Sequence, residues 1–348
     1  MKKYARLIFL LIIILLIWNA ILTVFVFNNK NSVQENTDIV ETKVTGFSTD
    51  LTEVIDNCKS SIVTIETNNS ISSGLIYKTN SNSVYILTTY HGVQDKTCKV
   101  TFASGATYEA NVVNKDIFAD VCVIEVETNV EVLPTKLGNS NLVKEGEFVV
   151  IIGTPKSIQY ALSNEIGVVS SSLRSINNSV NFENTNYEYI NNVIQLSGNI
   201  NAGYSGAPVL NMAGEVVGMI TMKDDTAVFA TPINELKIIA DNIINGNEYT
   251  KIQFGIKGKF VNLLESYEKN QLNIPLDVNN GYYINSVMNS SLAANAGIKE
   301  GDVIISINGL EINDYDDLLS IEYDNTDTFN ITVVRNNETI NLVGKIND

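Results

Sequence analysis

Histidine, cysteine and basic residues are all scarce in this 348-residue chain. It has one histidine and three cysteines, with no CxxC pair. A tetrahedral zinc site needs four clustered ligands, so a Cys/His zinc site is not expected. The three cysteines allow one disulfide at most, and their spacing does not choose the pair. Lys and Arg number 23 against 39 Asp and Glu, which gives a net charge of −16. Because proteins bind nucleic acid largely through clustered cations, nucleic acid is not an expected partner.

A long apolar run occupies the N-terminal region. Residues 7–27 read LIFLLIIILLIWNAILTVFVF and follow three basic residues. These 21 residues are close to the ~20 that cross a bilayer as a helix. A cleavable signal peptide has a shorter run of ~7–15 residues and a small-residue cleavage site, which is not found here. The sequence therefore predicts an uncleaved transmembrane helix over 7–27, a cytoplasmic tip over 1–6, and an extracytoplasmic location for the rest.

Three further parts follow the apolar run. Residues 28–50 are polar and predict a solvated linker. Residues 51–246 contain roughly a dozen short runs rich in Val, Ile, Thr and Tyr, which predict antiparallel barrels or a sandwich. The segment NELKIIADNIING has helical spacing and closes this domain. Residues 250–348 predict a smaller αβ domain, with a helix in NDYDDLLSIEY.

A glycine-rich segment, NAGYSGAP, surrounds Ser205. Such a serine is either an ordinary turn residue or a nucleophile, and a nucleophile needs a base and an acid. The base can only be His91, which follows the strand-like run SVYILTTY. Asp116 and Asp120 are the candidate acids. Asp120 directly precedes the apolar run VCVIEV and is preferred, whereas Asp116 is expected to lie in a solvated turn.

The chain order of these residues separates the known designs of serine hydrolase. The stretch GYSGA approaches the nucleophile elbow of α/β-hydrolases, but that design places its histidine after the serine. The subtilisin design places its acid before the histidine on an α/β scaffold. The order His91, Asp120, Ser205 on an all-β domain matches the chymotrypsin design.

Several blocks of the chain, taken in order, resemble the hallmark segments of HtrA (Deg) family trypsin-like serine proteases: SSGLIYK, YILTTYHGV, ADVCVIEV, LGNSNLVKEGEFVVIIGTP, GVVSSS, NINAGYSGAPVLNMAGEVVGMIT and FATPI. The resemblance covers nearly all of residues 55–235. It implies a mainly β fold, a chymotrypsin-like double β-barrel with His91, Asp120 and Ser205 in the cleft. It also implies an oxyanion hole formed by the backbone N–H groups of Gly203 and Ser205.

Three positions depart from the family pattern. Tyr204 stands where a small polar residue is usual, Ala207 replaces a second glycine, and Gly92 follows the histidine where valine is common. These changes put the resting geometry of the oxyanion hole in question. They leave open a protease that has to be switched on, or one of weak activity.

Substrate selection is expected to involve Asn199 and Ile200. Trypsin-like enzymes that prefer basic side chains place an aspartate six residues before the nucleophile, and this chain has Asn199 there. A cationic P1 residue would lack its buried counter-charge. Small or medium apolar P1 residues are therefore predicted, as the resemblance also implies.

The last hundred residues resemble the PDZ domains that follow HtrA protease domains, through FGIKG, GYYINSVMNSSLAANAGIKEGDVIISINGLEI and DYDDLL. This resemblance implies that the loop Phe254, Gly255 and Ile256 receives a peptide's terminal carboxylate, and that the next strand pairs with the peptide. A membrane-anchored, extracytoplasmic serine endopeptidase is thus expected, cutting misfolded or exposed protein segments without a cofactor. The resemblance to HtrA proteases also implies that the chain assembles as a homotrimer. The rival hypothesis is a catalytically weak or inactive peptide-binding scaffold or chaperone on the same fold.

Overall fold

The computed structural model describes Trp18 and residues 51–182, 185–198, 200–224, 226–247, 251–322 and 327–346. The predicted cytoplasmic tip, transmembrane helix and linker lie outside these residues, apart from Trp18, and so does Asn199. Among the helices of the described residues, none has the length and the apolar composition of a membrane span.

Two closed six-stranded barrels of antiparallel strands occupy residues 62–232. The first has the strand order β1-β2-β3-β6-β5-β4 and consists of β1 (Ile62–Glu66), β2 (Ile71–Thr79), β3 (Ser83–Thr89), β4 (Thr97–Phe102), β5 (Thr107–Asp116) and β6 (Val121–Glu127). The second has the order β10-β11-β12-β9-β8-β7 and consists of β7 (Phe148–Gly153), β8 (Ser163–Phe182), β9 (Thr185–Leu196), β10 (Pro208–Leu210), β11 (Val216–Lys223) and β12 (Val228–Pro232).

Several barrel strands are apolar on both faces, because both faces are covered. In β6, Cys122 and Ile124 point into the core of the first barrel, while Val121 and Val123 pack into a second core shared by the two barrels. Successive side chains of a strand point to opposite faces, so a continuous run such as VCVIEV fills two cores at once. The shared core fixes the two barrels against each other and positions the cleft between them.

Two helices of the described chain cover the double barrel, α1 (Leu51–Cys58) and α2 (Ile233–Ile244). Helix α2 was predicted from NELKIIADNIING, and it buries Ile233, Leu236, Ile239, Ala240 and Ile243 in the shared core. This spacing places one apolar stripe on a 3.6-residue period. Short 3₁₀ helices lie at Lys59–Ser61, Ser140–Leu142, Ile158–Tyr160 and Val261–Leu263.

In the described residues from 251 onward, the chain forms a separate sheet with three helices and its own apolar core. Its strands are β13 (Ile256–Phe260), β14 (Tyr282–Val287), β15 (Val303–Ile307), β16 (Leu310–Glu311), β17 (Thr328–Arg335) and β18 (Glu338–Lys345), in the order β13-β14-β15-β17-β18 with β16 beside β15. Its helices are α3 (Ser266–Gln271), α4 (Leu292–Asn295) and α5 (Tyr315–Glu322). The predicted mainly β architecture, a double barrel followed by an αβ domain, is confirmed.

Buried polar contacts join this sheet domain to the barrels. Lys251 forms an ion pair with Glu235 of α2, and both side chains are 2% exposed. Its ammonium also lies 3.5 Å from a carboxylate oxygen of Glu322 in α5. The Tyr315 hydroxyl donates to Glu235 Oε2 at 2.9 Å. A charged cluster therefore sits in the interface rather than on the surface.

Candidate active site

The three residues of the predicted triad lie together in the cleft between the barrels. His91 Nε2 is 2.8 Å from Ser205 Oγ, and His91 Nδ1 is 2.6 Å from Asp120 Oδ2. The backbone N–H of His91 also donates to Asp120 Oδ1 at 2.9 Å. Both carboxylate oxygens thus hold the histidine, one through its ring and one through its backbone.

Strand pairing in the first barrel explains how His91 meets Asp120. β3 ends at Thr89 and pairs antiparallel with β6, so that Thr89 lies opposite Val121. The residues just after β3 and just before β6 are therefore neighbours, and Tyr90 N–H donates to the Asp120 carbonyl at 3.2 Å. Asp120 has a left-handed backbone with φ of 55°. Aspartate tolerates this region better than most side chains do.

The Asp120 carboxylate sets the chemistry of the imidazole. Its hydrogen bond is the main cause that raises the pKa of His91 above the ordinary 6.5; partial burial opposes the rise and the negative charge of Asp120 adds to it. Because a carboxylate only accepts hydrogen bonds, the proton of the neutral ring is assigned to Nδ1. The lone pair of Nε2 then faces Ser205 Oγ, which is the arrangement a general base needs.

The backbone at Gly203 has a conformation that requires glycine. Its φ is +102°, and a Cβ at this position would lie 2.2 Å from the carbonyl oxygen of Thr154. Within the described part of the chain, the N–H groups of Gly203 and Ser205 donate to no protein acceptor. Two such N–H groups beside a nucleophile are what an oxyanion hole requires.

The departures from the family pattern are accommodated by packing. Tyr204 is 1% exposed and lies with Ala207 in the core of the second barrel. Burial raises the pKa of Tyr204 to about 12, with the charge of Glu165 adding to the rise, so the phenol stays neutral. At Gly92, an added Cβ would lie 2.8 Å from Thr89 Oγ1. Tyr204 is therefore a core residue of the second barrel, and Gly92 stands where a side chain would meet Thr89.

A cleft of about 540 Å³ opens beside Ser205. Ile200 lines it, as predicted for a substrate-binding residue, and is 4% exposed. Asn199 lies outside the described residues, so its predicted role stays a prediction. Lys223, at the end of β11, also lines the cleft, and its ammonium donates to the Ile200 carbonyl at 2.8 Å. This cation therefore joins the end of β11 to the segment that precedes the nucleophile loop.

Asp116 is buried, which corrects the expectation of a solvated turn. It is 8% exposed, and its Oδ1 accepts the backbone N–H groups of Phe118 and Ala119 at 2.9 and 2.8 Å. Burial raises its pKa, while these hydrogen bonds and the charge of Lys251 act in the opposite direction. Asp116 thus shapes the turn that leads to Asp120.

Thiols and metal-ligating groups do not form a second centre in the described structure. Cys58, Cys98 and Cys122 are all described, and each is buried with a free thiol. Burial raises the pKa of Cys98 and of Cys122 to about 12, so neither carries a reactive thiolate at neutral pH. Among the described residues, no group of three or more His, Cys, Asp or Glu could hold a metal ion.

The predicted carboxylate loop precedes β13 in the C-terminal domain. Phe254 and Ile256 are buried in that domain's core, and Gly255 has a φ of +73°. A Cβ on Gly255 would lie 2.4 Å from Cβ of Ser291. Gly255 and Ser291 also line a cavity of about 920 Å³. β13 stands at the end of its sheet, so one of its edges has no strand neighbour in the described sheet.

Two residues of the site were missed by the reasoning from sequence, Ser73 and Lys223. Ser73 contacts the nucleophile loop from β2, 130 positions away in the chain, and no local pattern signals such a contact. Lys223 lies at the end of β11, the second strand after Ser205. This position is the only feature of the sequence that could have pointed to a role in the site.

Comparisons with known proteins agree with this geometry. The chain matches the family models for a trypsin-like peptidase domain over residues 72–219 and for a PDZ domain over residues 264–345. "HtrA-type protease AlgW with decapeptide" has a similar fold, with a TM-score of 0.53 at 19% identity, covering 85% of this chain and 98% of that one. "Crystal structure of the serine endoprotease from Yersinia pestis" matches with a TM-score of 0.51 at 20% identity, covering 85% and 97%.

Curated relatives are HtrA proteins. "Serine protease HtrA-like" of Staphylococcus epidermidis is 29% identical over 364 residues, which cover 97% of this chain but only 61% of that protein's length. "Serine protease Do-like HtrA" of Lactobacillus helveticus is 32% identical over 286 residues, covering 79% of this chain and 68% of the relative. The resemblance in the sequence blocks is thereby confirmed, and the chain belongs to the HtrA family of trypsin-like serine proteases with a PDZ domain.

Proposed function

We propose that this chain is a serine endopeptidase that hydrolyses peptide bonds in misfolded or exposed segments of other proteins. The observation that carries the proposal is the relay across the cleft. Ser205 Oγ lies 2.8 Å from His91 Nε2, and Asp120 Oδ2 lies 2.6 Å from His91 Nδ1. Hydrogen-bonded serine, histidine and aspartate in this order form a nucleophile, its base and the group that orients the base.

The reaction follows from the roles of these atoms. Ser205 Oγ attacks the scissile carbonyl carbon while its proton moves to His91 Nε2. The Asp120 carboxylate stabilises the imidazolium, and the N–H groups of Gly203 and Ser205 stabilise the oxyanion. His91 then gives the proton to the leaving amine. A water molecule, deprotonated by His91, hydrolyses the acyl-enzyme and restores the serine. No step requires a cofactor.

A fluorophosphonate probe tests this assignment. The probe phosphonylates an activated serine with loss of fluoride, so we expect one adduct, mapped by mass spectrometry to the peptide that contains Ser205. Heat-unfolded protein is the control and should stay unlabelled, since the relay exists only in the folded chain. Digestion of casein by the same preparation should accompany labelling. If folded protein is neither labelled nor able to cut casein, the peptide-binding scaffold replaces the enzyme as the function.

P1 selection is expected to depend on Lys223, because its ammonium lies at the cleft and like charges brought together cost several kcal/mol. Wild-type protein should cut after small or medium apolar residues and discriminate against P1 lysine. We expect Lys223→Met to relax that discrimination, on the order of tenfold in the ratio of kcat/KM for matched P1 valine and P1 lysine peptides. Lys99→Met, an exposed change on β4, is the control. An unchanged ratio in Lys223→Met would remove Lys223 from P1 selection.

The remaining parts of the proposal concern recruitment and location. β13, at the edge of its sheet, supports the addition of a peptide strand whose terminal carboxylate meets the loop Phe254, Gly255 and Ile256. The apolar run 7–27 supports a single membrane anchor, with the N-terminus in the cytoplasm and the protease and PDZ domains outside the cell membrane. Assembly as a homotrimer is proposed from the family resemblance.

A further inference from the structure

Ser73 of β2 contacts the nucleophile loop from the opposite barrel. It is fully buried. Its hydroxyl donates to the Gly203 carbonyl at 2.8 Å and accepts the Thr154 N–H at 2.9 Å. Its backbone N–H donates to the Ser205 carbonyl at 2.8 Å. One residue of the first barrel therefore holds two carbonyls of the loop that carries the nucleophile.

All four carbonyls from Ala202 to Ser205 are hydrogen-bonded. Besides the two held by Ser73, the Ala202 carbonyl accepts the Lys156 N–H at 2.9 Å, and the Tyr204 carbonyl accepts the Ala207 N–H at 2.9 Å. In a trans peptide the N–H points away from the carbonyl of the same plane. Fixing these carbonyls therefore fixes the N–H groups of Gly203 and Ser205, and leaves both for an oxyanion.

The Ser73 hydroxyl is the only side-chain group among these four described contacts, and it acts on two of the peptide planes. It holds the plane after Gly203 directly. It also holds Thr154, two residues before Lys156, whose N–H fixes the plane before Gly203. Loss of the hydroxyl would leave the Gly203 carbonyl and the Thr154 N–H without these partners in a buried place, where an unpaired group is costly.

Glycines allow both segments to approach Ser73. A Cβ on Gly206 would lie 2.1 Å from the Ser73 carbonyl, and one on Gly153 would lie 2.6 Å from Ser73 Oγ. No side chain could fit at either place. The loop and the Thr154 segment therefore pack against Ser73 by their backbones.

We propose that Ser73 is a positioning residue that presets the oxyanion hole, by fixing the peptide planes on both sides of Gly203. The inference rests on the proposed peptidase function. It predicts that the hole is assembled before any peptide binds the PDZ domain. Ser73 touches neither the scissile bond nor the reacting proton, so its effect passes through Gly203.

The test compares Ser73→Ala with Ser72→Ala in the full-length protein, using an internally quenched peptide. Ser72 is adjacent and 1% exposed, and its Oγ has no hydrogen-bond partner among the described residues, so it is a matched control. We expect Ser73→Ala to lower kcat by about 10²-fold with KM unchanged, as the loss of an oxyanion donor does. Affinity for a peptide aldehyde, which forms a tetrahedral adduct, should fall in parallel. Ser72→Ala should retain the wild-type values.

Circular dichroism checks that each variant is folded. If Ser73→Ala does not fold, Ser73→Cys, whose side chain is slightly larger and carries a weaker donor, should show an intermediate kcat. Three results would overturn the positioning role of Ser73 and leave the proposed peptidase function intact. They are a wild-type kcat in a folded Ser73 variant, equal losses of kcat in the Ser72 and Ser73 variants, and a change in KM alone. Wild-type protein that neither cuts peptide nor reacts with fluorophosphonate would overturn the proposed function, and this inference with it.

Discussion

Asp120→Asn is expected to lower kcat/KM by about 10⁴-fold at neutral pH. In the wild type, Asp120 Oδ1 accepts the His91 backbone N–H at 2.9 Å and Oδ2 accepts the ring Nδ1–H at 2.6 Å. An asparagine that keeps its oxygen on the backbone N–H presents its NH₂ group to Nδ1. That donor selects the tautomer protonated at Nε2, and a protonated Nε2 cannot take the proton of Ser205.

The pH dependence gives this variant a second signature. Neutral His91 is the active base, so wild-type kcat/KM should rise with pH through the His91 pKa, which the hydrogen bond to Asp120 raises above the ordinary 6.5. Without the carboxylate, nothing comparable favours the protonated ring. The acid limb of the profile should therefore move to lower pH in Asp120→Asn.

Asp95→Asn, an exposed change on the loop that follows His91, is the matched control and should keep both the rate and the profile. The backbone supports the choice of asparagine, since Asn also tolerates the left-handed φ of 55° found at Asp120. Quenched-peptide assays over a pH series measure both effects. If Asp120→Asn kept the wild-type acid limb, Asp120 would not be the group that orients His91.

The triad could be predicted because the sequence leaves so few choices. There is one histidine, and the serine lies among glycines. Asp120 and His91 flank strands that a barrel pairs directly, with Thr89 opposite Val121. The strands themselves could be predicted because short apolar runs rich in β-branched residues, broken by turn residues, are typical of buried strands. The order of His91, Asp120 and Ser205 in the chain then distinguishes the chymotrypsin design from the α/β-hydrolase and subtilisin designs.

The contacts between barrels could not be predicted, because they depend on positions far apart in the chain. Ser73 meets Gly203 across 130 positions, and nothing near Ser73 signals that partner. Asp116 has polar neighbours in sequence, which suggested exposure. Its burial depends on how the chain packs around its turn, where it is close enough for the charge of Lys251 to affect its pKa. Tyr204 departs from the family pattern in the sequence, and only the fold shows that its side chain packs in the core of the second barrel.

Lys251→Met is expected to destabilise the fold by about 3–5 kcal/mol at pH 8, the range measured when one partner of a buried ion pair is removed. Lys251 and Glu235 are paired with both side chains 2% exposed, and Glu322 lies 3.5 Å from the same ammonium. Without the cation, two carboxylates remain buried together in the interface. Urea unfolding of the full-length protein measures the loss.

The loss should shrink towards pH 5. Burial raises the pKa of Glu322 from 4.5 to about 7, although Lys251 acts to lower it. A raised carboxyl pKa means that the folded state holds the proton more tightly than the unfolded state. The protonated Glu322 carboxyl therefore contributes its full stabilisation below about pH 4.5, and this contribution is lost as pH rises through about 7. In Lys251→Met that pKa should rise further, so the carboxyl stays neutral at pH 5 and costs less there.

Two variants isolate the cause of this loss. Lys136→Met removes an exposed lysine that pairs with Glu215 at 2.8 Å, and should stay within about 1 kcal/mol of the wild type. Lys251→Met combined with Glu235→Gln removes one of the buried charges left behind, and should recover part of the stability at pH 8. If Lys251→Met unfolded at the same urea concentration as Lys136→Met, the buried ion pair would not contribute the predicted stability to the fold.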